Sequence, residues 1–328
     1  YLIKWVMENN IMEKGVVTIS IDHEFAWGYA DMPLSNEDRI RIAKEQEIVE
    51  RLIALFEKYN ITATWAIVGH LLENDCKYNE GTAHPEYKRP IFKNEKKDWF
   101  FQHPLDVDAK DVLWYDTKDL IGKIQRSSVG HEIGSHSYAH IMYDENVVDQ
   151  QVIETDLLNI QRVHDIKGVS RESFVFPRNI EGFHHLLKKR GIRYYRGSSK
   201  KWYRSLPGAL QRIGHLADYF IPNTPTSLPI IHESGLVNIQ DSMLLLGRNG
   251  LRKIIPACGV VWKAKRGIKK AIRKKEVFHL WFHPSNFSYH TEEQFGIFEN
   301  ILKEIKQRKE SGEIENLTMG EVGSRVEK

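Results

Sequence analysis

A chain of 328 residues with 41% hydrophobic positions, eight Trp and fourteen Phe can bury a sizeable core, as one large domain or two ordinary ones. A net charge of +3 and a pI near 8.6 are too balanced for a concentrated basic face and argue against a nucleic-acid partner. No apolar run approaches the ~20 residues of a membrane span, and no signal peptide is visible. Two cysteines, Cys76 and Cys258, lack CxxC spacing and read as free thiols in a reducing compartment. The expectation is a cytoplasmic protein, with secretion left open because the chain starts at Tyr1 rather than Met.

Residues 15–22, GVVTISID, are a β-branched apolar run that suits a strand buried on both faces. From Asn36 to Tyr59, Ile42, Ile48, Val49, Leu52, Ile53, Leu55 and Phe56 recur at helical spacing; Ser35 or Asn36 can cap this helix and Asn60 ends it. A second strand is expected over 61–68, closed by Gly69. Residues 71–115 then break the rhythm, with Pro85, Pro90 and Pro104 and little periodicity. Trp99, Phe100, Phe101, Trp114 and Tyr115 argue against disorder there, so the stretch reads as an insertion covering one end of the domain.

A helix is expected from Thr117 to Ser127, a short strand from His131 to Gly134, and an amphipathic helix over 145–165 lined by Val148, Val152, Leu157, Ile160 and Val163. Ser173–Pro177 reads as a strand, Glu181–Arg190 as a helix ended by Gly191, and Ile192–Tyr195 as a further strand. Pro207, Pro222, Pro225 and Pro229 mark loops around short strands such as 236–240. The run 263–275, KAKRGIKKAIRKK, predicts a basic helix with Ile268, Ala271 and Ile272 inward. Val277–Phe282 is a strand ending at His283-Pro284, and 292–310 is the last helix.

Strands alternating with helices imply a parallel sheet flanked by helices. About seven such units, with no repeat and no linker, favour one barrel domain over residues 1–328. In α/β folds the ligand site lies at the carboxyl ends of the strands. Asp22, His23 and Glu24 fall there after the first strand, His136 after the third and His283 after the last.

His136 and His140 stand four apart and share one face if their segment is helical, so both imidazoles can hold one metal ion. Asp22 or Glu24 would be a third ligand, leaving a position for water. Residues 22 and 24 point to one side of an extended strand end, so one can bind metal while the other acts as general base. His23 would point away and pack, and His283 could protonate a leaving amine. His131-Glu132 looks like the start of a zincin motif, but the next histidine is five residues on, so HExxH fails.

These residues resemble the polysaccharide deacetylase family, also called the NodB-homology or carbohydrate esterase 4 family. His136-Ser137-Tyr138-Ala139-His140 fits its H-[ST]-x-x-H metal motif, and Gly130–Gly134 fits the lead-in. Ala63–Gly69 resembles the second strand, Phe278–His283 the motif carrying the acid histidine, and Asn316–Glu321 the closing strand. The resemblance spans Val16 to about Glu321. It implies a distorted (β/α)7 barrel and metal-dependent removal of N-acetyl or O-acetyl groups from sugars, with zinc or a similar divalent ion. The sequence looks like the D-x-[DE] variant, which implies Asp22 as base and Glu24, His136 and His140 as ligands, with Asp22 or His23 as the alternative third ligand. Val175 falls where the family places an arginine that orients the base; Arg178 stands ready for that role or for substrate, and a backbone N–H near it for an oxyanion. Trp202 is the candidate for the tryptophan of the fourth motif.

The implied partner is an acetylated glycan. The basic run 263–275 suits either a solvated helix face or peripheral contact with a membrane or lipid-linked sugar. Two alternatives keep the barrel: an amidase acting on a small non-sugar amide, and a non-catalytic carbohydrate-binding protein.

Overall fold

The computed structural model describes residues 12–327 except 74–75, 77, 80–81, 85, 91–98, 101, 103–112, 200–201, 206, 209, 212–213, 215–216 and 220–223. Pro85, Phe101, Pro104 and Pro222, named above, lie outside the described residues.

The strands are β1 (Gly15–His23), β2 (Thr64–Ile67), β3 (Tyr78–Asn79), β4 (Thr82–Ala83), β5 (Glu132–Ser135), β6 (Ser173–Val175), β7 (Tyr194–Arg196), β8 (Ile230–Ile231), β9 (Val237–Asn238), β10 (Met243–Leu244), β11 (Val277–Phe282) and β12 (Ile314–Asn316). The α-helices fully placed among the described residues are α1 (Asn36–Ala43), α2 (Glu45–Tyr59), α3 (Leu120–Gln125), α4 (Gln150–Lys167), α5 (His184–Lys189), α6 (Ala257–Lys274), α7 (Thr291–Glu310) and α8 (Met319–Val326). The main sheet runs β10-β11-β1-β2-β5-β6-β7-β9-β8, and β12 adds to the start of β1. Its neighbours are parallel except β8 and β9. β1, buried along all nine residues, is the centre of the sheet, and its apolar run is what a strand covered on both faces needs.

The ring closes through one extended stretch that contains both β9 and β10. Its first half pairs with β7: Ile239 N–H donates to Tyr195 O and Asp241 N–H to Gly197 O, both at 2.8 Å. Its second half pairs with β11: Ser242 N–H donates to His279 O and Leu245 N–H to Trp281 O, both at 2.9 Å. Going round, β1, β2, β5, β6, β7, the β9–β10 stretch and β11 give the seven positions of a distorted (β/α)7 barrel. Part of the distortion lies at β6, which meets β5 at a single register pair, Ser135 with Phe174.

Three local expectations change. The helix over 36–59 is two helices, broken where Lys44 N–H bonds Arg41 O in a tightened turn. Its caps are where the sequence put them: Ser35 closes a capping box with Asp38, and Asn60 turns left-handed at φ +51°. The stretch 316–321 is the end of a strand followed by a helix start, because Thr318 and Glu321 form a second capping box. The basic helix starts at Ala257, and Lys263 within it is buried, with Nζ donating to Asp218 O at 2.8 Å and paired with the Asp218 carboxylate.

The described aromatics of the insertion are core. Trp99, Phe100, Trp114 and Tyr115 are buried, Trp99 Nε1 donates to Ala139 O at 2.8 Å, and Trp114 meets Trp27 edge-to-face at 5.1 Å.

Candidate active site

Strand β1 carries Asp22 to its carboxyl end and Glu24 just beyond it, with their side chains on the pocket side. His23, between them, points the other way. Its ring is fully buried against Phe25 and Trp65, 4.7 and 6.0 Å away, and burial lowers its pKa to about 4. That environment keeps it out of the site.

His136 and His140 follow β5 on a loop rather than a helix, so the spacing of four works for a different reason. Ser137 and His140 both adopt left-handed backbone, at φ +65° and +57°, and fold the segment back so that both rings face Glu24. Asp156 on α4 holds this loop. It accepts from the amide of Tyr138 at 3.1 Å, the Ser137 hydroxyl at 3.0 Å and the Tyr143 hydroxyl at 2.8 Å.

Glu24 Oε2 lies 3.3 Å from His136 Nε2 and 3.0 Å from His140 Nε2. The donor atoms of these three residues all fall within 4.8 Å of one another. His136 Nδ1 is 2.8 Å from the carbonyl of Val175, which can only accept, so Nδ1 carries the proton. In the neutral ring Nε2 is then a bare lone pair aimed at a carboxylate oxygen. Two lone pairs at that distance repel unless a cation stands between them, so this donor set fits a divalent ion. Burial lowers the His140 pKa despite the neighbouring Glu24, which favours the neutral, ligating ring. Burial alone would raise the Glu24 carboxyl, but the neighbouring imidazoles of His283, His140 and His136 hold it well below the usual carboxylate range.

Asp22 is oriented by a residue the sequence reading passed over. Arg196, at the end of β7, donates NH1 to Oδ1 at 2.6 Å and NH2 to Oδ2 at 2.8 Å. Burial would raise the Asp22 carboxyl, but the charge of Arg196, with His136 and His283, lowers it. Arg196, not Arg178, is therefore the arginine that holds Asp22. Arg178 turns outward instead, with NH2 on Asp31 Oδ1 at 2.7 Å and Gly28 O at 3.0 Å, and lines the pocket. Beside it, the Asn179 amide donates to Phe176 O at 2.9 Å and is spent. His283 Nε2 stands 3.6 Å from Asp22 Oδ2 and 3.7 Å from Glu24 Oε1.

Above these groups opens a cavity of about 340 Å³, lined by Glu24, His283, Arg41, Arg178, Arg252 and Tyr289 among others. Trp202 is not in its wall; its indole N–H donates to Asp218 at 2.8 Å. The false zincin pair is also elsewhere. Glu132 accepts from Thr64 Oγ1 at 2.7 Å and Gly320 N–H at 3.0 Å, and His131 Nδ1 accepts from the Ala63 amide at 3.1 Å.

Residues 29–181 match the family model described as polysaccharide deacetylase. Over that stretch the chain resembles the polysaccharide deacetylase family. The chain shares its fold with solved structures of low identity. A putative polysaccharide deacetylase from Mycobacterium smegmatis is 13% identical over 96% of this chain and 91% of that one, with a TM-score of 0.60. A probable polysaccharide deacetylase from Pseudomonas aeruginosa PAO1 is 11% identical over 94% and 90%, with a TM-score of 0.58. Puue allantoinase is also 11% identical, over 94% and 89%, with a TM-score of 0.58. No curated protein matches the sequence.

Arg196 and Asp156 could have been sought in the sequence. Arg196 ends a strand, where Asp22 and His283 were found by the same rule. Asp156 interrupts the apolar face of α4 and is fully buried.

Proposed function

We propose that the protein is a metal-dependent deacetylase that hydrolyses the N-acetyl or O-acetyl group of a sugar unit in a poly-, oligo- or lipid-linked saccharide. The observation that carries this is the convergence of His136 and His140 Nε2 on one oxygen of Glu24, 3.3 and 3.0 Å away, beside a separately held Asp22. Glu24, His136 and His140 would hold the ion, zinc being the divalent metal best matched to two imidazoles and a carboxylate in a three-ligand site. The chemistry it would supply is polarisation of the acetyl carbonyl and a lowered pKa for the attacking water.

The chain's own groups do the rest. Arg196 keeps Asp22 ionised and aimed, and Asp22 accepts the proton from water as oxygen adds to the carbonyl carbon. His283, 3.6 Å from the Asp22 carboxylate, donates a proton to the sugar nitrogen or oxygen as its bond to the acyl carbon breaks. Acetate and the free amine or hydroxyl are the products. The cavity around His283 is wide enough for a sugar ring and carries three guanidinium groups on its wall.

The test is acetate release from acetylated chito-oligosaccharides and acetylated xylan by purified protein, before and after chelation. The reading expects release that stops on chelation, returns with zinc and is lost in His136→Ala. Turnover of a small cyclic amide with no acetate from any acetylated sugar would overturn the substrate. Full activity after chelation, or in His136→Ala, would overturn the mechanism.

A further inference from the structure

A second cluster of metal-binding side chains lies about the start of the insertion. His70 follows β2, and Cys76 and His84 come from the described parts of the segment after it. All three are buried, and their donor atoms lie within 4.8 Å of one another. His70 Nε2 is 3.0 Å from His84 Nε2 and 3.1 Å from Cys76 Sγ. These separations are close to those between Glu24 and its two histidines, 3.0 and 3.3 Å.

We propose that His70, Cys76 and His84 bind a second metal ion, of the zinc class, that ties the insertion to the catalytic loop. His70 Nε2 has two partners at hydrogen-bond distance but can offer only a proton or a lone pair. One cation between the three donors satisfies all of them at once. One thiolate with two imidazoles is a borderline-soft set that suits zinc, and Cys76 binds by releasing its proton. The Tyr115 hydroxyl, 2.8 Å from Sγ, donates to the thiolate.

His84 adopts a left-handed backbone at φ +48°, an uncommon conformation for a residue other than glycine. Its other nitrogen, Nδ1, is 3.4 Å from the Tyr138 hydroxyl and 3.7 Å from Glu86, the arrangement by which a ligand histidine is usually oriented. Tyr138 lies between His136 and His140. The amides of Gly69 and His70 donate to the carbonyls of Ser137 and Tyr138, both at 2.8 Å. Metal at this cluster therefore braces the loop that carries His136 and His140.

The two sites differ in donor chemistry, which separates their tests. Reduced protein loaded with cobalt(II) should bind two ions per chain and show a sulfur-to-cobalt charge-transfer band, which oxygen and nitrogen ligands cannot give. His136→Ala should lose one ion and keep the band. Cys76→Ser should lose one ion and the band, while Cys258→Ser, at an exposed thiol, should lose neither. Wild-type protein that takes up one ion and shows no band overturns the second site without touching the catalytic one. A band that survives in Cys76→Ser and disappears in Cys258→Ser overturns it as well. Because the first result is read on unmutated protein, it stands even if Cys76→Ser fails to fold.

Discussion

Arg196 reaches across the barrel to grip both oxygens of Asp22, and its guanidinium carbon lies over Trp281, 4.1 Å from the ring centroid. β7 and β1 are separated by three strands along the sheet, so only the curl of the ring brings these side chains together. The grip does two things. It holds Asp22 ionised in a buried place, and it fixes which way the carboxylate faces. Arg196→Lys keeps the charge but loses the fork. The expected result is a fall in kcat on the order of 10²-fold with metal content unchanged. Arg196→Ala leaves a buried carboxylate unpaired and should also destabilise the fold by about 3–5 kcal/mol. Acetate release, metal analysis and urea unfolding check the three parts; metal lost from Arg196→Lys would contradict the assignment.

Asp22 and Glu24 stand two positions apart, and a pair of substitutions separates the roles proposed for them. Glu24→Gln weakens a donor between His136 and His140, so bound metal should fall and activity with it. Asp22→Asn keeps the shape beside Arg196 and removes the proton acceptor, so metal should stay at wild-type level while kcat falls by roughly 10²–10⁴-fold. Metal analysis after gel filtration decides. Metal lost from Asp22→Asn and kept by Glu24→Gln would exchange the two roles.

Asp156 is a single buried carboxylate that organises the loop of His136 and His140 through the Tyr138 amide and the hydroxyls of Ser137 and Tyr143. Asp156→Asn retains the size but turns one oxygen into a donor facing other donors. A stability loss of about 1–3 kcal/mol follows from the unmatched groups. Because the loop sets both histidines, metal affinity should also fall, by roughly 10–100-fold, as for other outer supports of a metal site. Thermal unfolding and a competitive metal titration measure these separately. An unchanged affinity would mean that the loop holds its shape without Asp156.

The sequence showed what repeats and what sits at strand ends. β1 and β11 are long, apolar and buried, so their limits were legible to within a residue, and Asp22, Glu24 and His283 could be placed from them. The left-handed turns at Ser137 and His140 left no such mark, and a helical face was expected where a folded-back loop does the work. Arg196 was missed because β7 is three residues long and its partner is 174 positions away. The ring closure was hidden for a similar reason: residues 239–245 pair with two different strands and show no period of their own. Cys76 read as a lone thiol because its two histidine neighbours reach it through an irregular segment.

Acid stability offers a last test, since it depends on buried imidazoles away from the ligand set. His131 and His164 have pKa values lowered to about 4, and His279 to about 3, by burial first of all. His279 sits inside the barrel with Nε2 2.8 Å from Ser20 Oγ and feels the charge of Arg196 besides. Each ring is neutral when folded and takes a proton near pH 6.5 when unfolded. Between those values the unfolded chain binds more protons, so stability rises with pH and is lost as pH falls from about 6.5 toward 4. Urea unfolding at pH 7 and pH 5 should show a lower midpoint at pH 5 with a similar slope. His164→Gln should shallow that dependence, because it removes one proton uptake while leaving an acceptor and a donor at the site. A midpoint that is flat between pH 7 and pH 5 in the parent protein would mean these rings are already protonated, or already reached by water, in the folded state.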